Sequence, residues 1–349
     1  IREKGSTMQF GSLDRRRFLA GAGALGLAGL ATPSRAATKV NLGVLHLGSH
    51  APSFIAYERG YFRDAGLDVE LKFFEAAQPL AVAIASGDAD YGVTAMSGGL
   101  VSLAEKDAVR VIGGALMEEK GRPGALLLAS NKAWEAGLKS AKDLAGRSFG
   151  ITTAGSSFHF MIHKVAQAVG IPMSEITLRP LQKLGAVVAA LSSGQIDAWA
   201  IQPSIADKMV SAGTAKVIGT ISDFAPNYQV TTVFTSKTNA AGEREKTKAF
   251  VAAYARAVAD YDAAFVDRTA PAADVDALAA LVHAHVDAAS PLEQFRKTMI
   301  DDAIRINRGL ALALPSVTEQ LDWFKAEKMV KDTITPAMVF DTSYVEILK

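Results

Sequence analysis

The chain has no cysteine, which excludes disulfides, thiol nucleophiles and thiolate metal sites. Charge of one sign is equally scarce: 37 Lys and Arg face 36 Asp and Glu. Without its first 36 residues the chain keeps 31 basic and 34 acidic residues, a net charge near −3. Nothing in that balance draws in a nucleic acid, and an anion would have to be held by local geometry. The apolar run near the N-terminus is too short to cross a bilayer as a helix. No spacing of side chains calls for a metal or a cofactor, and no pattern marks a catalytic group. What remains is 49% apolar and 21% charged over 349 residues, a globular composition with length for about two domains.

The first 36 residues read as an export signal. Met8 reads as a natural start, with Ile1 to Thr7 upstream of it. Asp14-Arg-Arg-Arg-Phe-Leu19 is followed by a Gly/Ala/Leu run to about Ala31 and by Ser34-Arg35-Ala36. A positive end, an apolar core and a small-x-small site predict cleavage near Ala36 and a periplasmic destination. The arginines before Phe-Leu resemble a twin-arginine signal, although Asp14 and Ala20 depart from it. Gly21-Ala-Gly-Ala-Leu-Gly26 has the spacing of a dinucleotide fingerprint. It follows no strand and sits in a segment destined for removal, so it carries no such function.

The body is organised around Phe149-Gly-Ile-Thr-Thr-Ala-Gly-Ser-Ser-Phe158. An apolar run breaks at Gly155, and Phe158, Ile162, Val165 and Val169 then recur at helical spacing. Strand, tight turn and helix follow, with Ser156 or Ser157 as N-cap. The same plan stands earlier in Leu42-Gly-Val-Leu-His-Leu-Gly-Ser-His50: Gly150, Gly155 and Ser156 each lie 107 positions after Gly43, Gly48 and Ser49. Ser86 to Asp90 and Ser193 to Asp197 keep that offset. Two α/β units therefore present matching glycine-serine turns. Asp90 and Asp197 each open a strand after a helix-ending glycine, which makes them a structural repeat and no catalytic pair.

Each unit predicts β-α-β-α-β. In the first, strands fall at Val40 to Leu45, Leu67 to Phe73 and Tyr91 to Ala95, with runs at Val109 to Leu116 and Ala125 to Ala129 completing a sheet. In the second, strands end at Thr152, Leu178 and Ile201, and Val230 to Thr235 reads as a strand crossing back. Helical patterns at 243–267, 273–288, 292–308 and 316–328 form the tail.

Pro52-Ser-Phe-Ile-Ala-Tyr-Glu-Arg-Gly-Tyr-Phe-Arg-Asp-Ala-Gly-Leu-Asp-Val-Glu70, supported by Leu80 to Ala95 and Asp143 to Ile151, resembles the sulfonate, taurine and nitrate group of periplasmic substrate-binding proteins of ABC importers. The similarity runs from Lys39 to about Phe265. It implies a two-lobed α/β periplasmic-binding-protein fold of type II, each lobe a sheet flanked by helices, with two crossing strands as hinge. Residues 37–129 and 236–349 would form lobe one, and 130–235 lobe two. It also implies a single-copy protein that closes on a small anion, delivers it to an ABC permease and does no chemistry on it.

On that reading strand-end turns line the cleft: Ser49 and His50, then Met96, Ser97 and Gly98, then Gly155, Ser156 and Ser157, then Gln202. His159 stands beside the second helix start, while Trp199 and Tyr228 would be platforms for an apolar ligand body. Hydroxyl and backbone N–H groups suit a sulfonate or carboxylate head. Two alternatives stand beside it: an enzyme similar to the pyrimidine-precursor synthases of thiamine biosynthesis, and a ligand-sensing partner of a membrane receptor.

Overall fold

A computed structural model describes residues 37–349; the expected export signal, 1–36, lies outside the described residues. The chain opens with β1 (Thr38–Val44), α1 (Ala51–Glu58), α2 (Tyr61–Asp64), β2 (Leu67–Phe73), α3 (Ala77–Ser86), β3 (Tyr91–Ala95), α4 (Gly98–Glu105), β4 (Val109–Gly114) and the short β5 (Leu116–Met117). Glycines end two of these helical stretches. Gly60 and Gly87 take φ of +75° and +86°, the left-handed conformation in which a Cβ would clash with the backbone. In β2, Leu67 and Val69 are buried while Asp68 and Glu70 face water, so the alternating pattern chooses the face.

The second half holds β6 (Leu126–Ser130), α5 (Asn131–Glu135), β7 (Ser148–Ile151), α6 (Ser157–Val169), β8 (Thr177–Pro180), α7 (Leu184–Ser192), β9 (Ala198–Ile201), α8 (Pro203–Ser211) and β10 (Ala215–Thr220). β11 (Thr231–Ser236) returns to the first sheet, followed by α9 (Arg244–Tyr261), α10 (Ala272–Val286), α11 (Leu292–Asp301) and α12 (Leu314–Ala326). The helix expected over 292–308 stops earlier, and Arg305–Ile306 pairs as strand with β5.

The two sheets have one plan. The first runs β2-β1-β3-β11-β4, and the second, read from its other edge, β8-β7-β9-β6-β10. In each, three parallel strands are joined by one antiparallel strand from across the molecule, β11 in the first and β6 in the second. The run Ala125 to Ala129, expected to complete the first sheet, therefore contributes to the second. An apolar run fits either sheet, and only the pairing decides. The chain leaves the first sheet after Gly114 and enters the second at Leu126, then leaves after Thr220 and returns at Thr231, in both cases ahead of the 129 and 235 divisions expected.

The internal repeat extends to atoms. Asp90 Oδ2 accepts the N–H of Asn41 at 2.8 Å, and Asp197 Oδ2 accepts the N–H of Ser148 at 2.7 Å. Both carboxylates tie the start of the third strand of a unit to the first. The tail helices cover the first sheet, where the Phe250 ring of α9 stacks on Tyr91 at 4.0 Å and on Phe62 at 5.3 Å.

Candidate functional site

A cavity of about 60 Å³ lies where the carboxyl ends of β1, β3, β7 and β9 converge. Strand ends of both sheets wall it, through Leu45, Thr94, Thr152 and Ile201, and the two crossing segments close its floor with Leu116, Gly124, Ala125 and Val230. In this form it has room for a few waters. None of its lining residues is Asp, Glu, Lys or Arg. Aliphatic side chains, Phe158 and Met161 supply most of the wall, and the polar groups are neutral.

Four of the twelve expected site residues line this cavity: His50, Ser156, Ser157 and Gln202. His50 is fully buried. Its Nδ1 accepts the N–H of Leu45 at 3.4 Å, which puts the ring proton on Nε2. Nε2 has no partner. Burial, and then the neighbouring His46, push its pKa down to about 3, so the ring is neutral at physiological pH. Ser156 occupies the N-cap position of α6 but makes no capping bond, and its buried Oγ is likewise unpartnered. The expected capping role is therefore unfilled. The first N–H groups of α6 are left without the side-chain acceptor that an N-cap serine normally supplies.

Ser49 and Gln202 meet across the cleft: the Ser49 N–H donates to Gln202 Oε1 at 3.0 Å, and Gln202 Nε2 donates to Ser49 Oγ at 2.7 Å. Gly98 N–H donates to the Gly155 carbonyl at 3.1 Å. These bonds join the lobes, and Ser49, Gly98 and Gly155 lie at that junction outside the lining. Met96 is buried beside them. Ser97 caps α4, its Oγ accepting the N–H of Leu100 at 3.2 Å. His159 Nδ1 accepts the N–H of Gly155 at 3.1 Å, and the ring meets Trp323 edge-on.

Trp199 is fully buried and packs on Phe158; Phe158 reaches the cavity and Trp199 backs it. Tyr228 lines a separate groove of about 510 Å³ with Phe160, Phe224 and Ser316. The sequence reading missed Thr94, Thr152 and Thr231, which line the cavity at strand ends. For Thr94 and Thr152 position supplied the available signal, since the carboxyl end of a parallel strand borders the crevice of such a fold; Thr231 opens the antiparallel β11 and had no such signal.

Glu118 stands behind the floor. Its Oε2 accepts the N–H of Gly124 at 2.8 Å, while Oε1 is buried without a partner. Burial raises its pKa to about 8, against the opposing pull of the Gly124 and Ala125 N–H groups.

In comparisons with known proteins, no curated sequence matches the chain. Among solved structures it is similar to the alkanesulfonate-binding protein SsuA from Xanthomonas axonopodis pv. citri bound to MOPS, with TM-score 0.68 and 18% identity over 87% of this chain and 98% of that one. The periplasmic nitrate-binding protein NrtA from Synechocystis PCC 6803 gives TM-score 0.67 and 11% identity over 85% and 83%. The desulfurization enzyme DSZB gives 0.58 and 14% over 88% and 97%. At these identities the likeness establishes the fold, the two-lobed α/β architecture of periplasmic binding proteins. The family model described as NMT1/THI5 like matches residues 48–264, more than half of the sequence. The chain belongs to the NMT1/THI5-like family.

Proposed function

We propose that this is an exported, periplasmic solute-binding protein, acting as a monomer, that captures a small organic anion between its lobes and delivers it to the permease of an ABC importer. The observation that carries the reading is the pair of buried, unpartnered polar groups on opposite walls of one cavity, His50 Nε2 and Ser156 Oγ. A buried polar group without a partner costs free energy, and a ligand oxygen would satisfy both. A sulfonate or carboxylate offers such oxygens, and the relatives of this fold named for alkanesulfonate and nitrate bind anions. The ligand is held and released unchanged, with no catalytic residue and no cofactor.

Melting of the mature protein against a panel of alkane- and arenesulfonates, carboxylates, nitrate, sulfate and pyrimidines tests this. A ligand that binds the native state raises Tm, so at least one anion should do so. No shift across the panel would sink the proposal. The desulfurization enzyme sharing the fold favours a second reading, in which the cleft turns over its ligand. Product formation on prolonged incubation of the bound compound would establish that instead.

A further inference from the structure

Resting on the binding-protein reading, we propose that His50 sets specificity as a neutral donor. Opposite Ser156, it takes the head of a ligand bearing at most one negative charge on an apolar body, and doubly charged oxyanions are rejected.

Three observations converge. The Leu45 N–H occupies His50 Nδ1, so Nε2 carries the only ring proton, unpartnered and buried at the cavity wall. The lining holds no cationic side chain, and the titratable neighbour that bears on the ring, His46, acts to keep it uncharged. The rest of the wall, including Leu45, Leu47, Phe158, Met161, Leu184 and Ile201, is apolar.

Neutral donors and a helix start can offset one charge spread over several oxygens. A second charge would lose its hydration with nothing to replace it, and moving an uncompensated ion out of water is prohibitive. A neutral sulfone or amide loses less. A ligand lacking any acceptor would leave both wall groups unmet. Charge number and an apolar body thus decide what enters.

The test is calorimetric titration of the mature protein with butanesulfonate and benzenesulfonate, and with butyl phosphate and phenyl phosphate, at pH 5 and pH 8. The phosphates pass from about one to about two charges between those values, their second pKa lying near 6, whereas the sulfonates keep one. Sulfonate affinity should hold within about threefold, and phosphate affinity should fall at least about tenfold on going to pH 8. His50→Phe should weaken sulfonate binding by about tenfold or more, and His50→Gln, which retains an N–H donor, should recover most of it. Thermal melts establish that both variants fold.

Glu118 behind the floor also changes charge over this range, so the comparison is repeated in Glu118→Gln; tenfold tighter sulfonate binding at pH 5 that persists in that variant would show an imidazolium at work and overturn the inference. Equal binding of phosphate at the two pH values, or unaltered binding by His50→Phe, would overturn it too. Silence from all four probes overturns the inference as stated. Only silence across the whole melting panel overturns the binding-protein reading with it.

Discussion

Ser49 and Gln202 hold each other from opposite lobes by two hydrogen bonds, of 3.0 and 2.7 Å, both buried. Ser49 lies in the turn just before α1 and Gln202 just before α8, one beside each sheet, so parting the two lobes would break the pair. Its free energy therefore belongs to the closed state alone, and closure is what a ligand must stabilise. Gln202→Ala removes both bonds and leaves Ser49 N–H without a partner. With each buried bond contributing about 1 kcal/mol, ligand affinity should fall by about tenfold or more while Tm of the free protein changes little. Small-angle scattering should show a larger radius for the free variant. Unchanged affinity would mean that the two bonds form equally well with the cleft open.

Gly155 is confined twice. Its φ is +71°, and a Cβ would sit 3.0 Å from Met329 Sδ and 3.4 Å from Gly98 N. Gly170 has φ of +76° with nothing nearby, so it isolates the backbone penalty. Gly170→Ala should cost about 1 kcal/mol, and Gly155→Ala more, since it also presses on the Gly98–Gly155 bond. Urea denaturation of the two variants checks the order, and equal losses would show that Met329 yields freely.

Glu118 makes stability fall with rising pH. Its carboxyl takes up protons up to about pH 8 in the folded protein but only to about 4.3 when unfolded. The folded state thus binds more protons across that window, and the contribution present at low pH is lost as pH climbs through 8. Glu118→Gln should abolish this slope and raise Tm at pH 8.5 by a few degrees, on the order of 2–4 °C per kcal/mol, with little effect at pH 5. Parallel melting curves for wild type and variant over pH 5–9 would rule it out.

Asp90 and Asp197 are strand ties, so their loss should be felt in stability and not in binding. Asp197 also accepts from Ser148 Oγ at 2.7 Å. Replacing either aspartate by Asn should cost about 1–2 kcal/mol and leave the affinity of any ligand found by the melting panel within about threefold. A variant of normal stability that binds poorly would place that carboxylate in the ligand's path.

Periodicity and turn chemistry made most elements legible. Tyr91–Ala95 and Ala198–Ile201 stand at the expected residues, but each duplicated glycine-serine turn meets a different strand-end turn, Ser49 the one at Gln202 and Gly155 the one at Gly98. Pairing is what an isolated segment does not encode. Leu126–Ser130 reads as an ordinary apolar strand, and its place in the second sheet depends on partners more than 70 residues away, such as Ile201. The site divides for a related reason. The turns were recognisable, but which of them would meet each other and which would border open space depends on how the lobes close. Gly98 and Gly155 are taken up by one another, whereas His50 and Ser156 are left facing the cavity. Phe158 fits the helical spacing of α6, yet the same ring that packs on Trp199 also lines the cavity, which spacing alone does not show.

The position of β11 between β3 and β4 has a bearing on biogenesis. Until Thr231–Ser236 has left the ribosome, the first sheet has a missing central strand, with the edges of its neighbours bare and prone to wrong pairing. The early part of the polypeptide must wait for two thirds of the whole to be made before it can settle. Such distant pairings slow the search for the native state, leaving an interval in which a chaperone can engage the nascent protein.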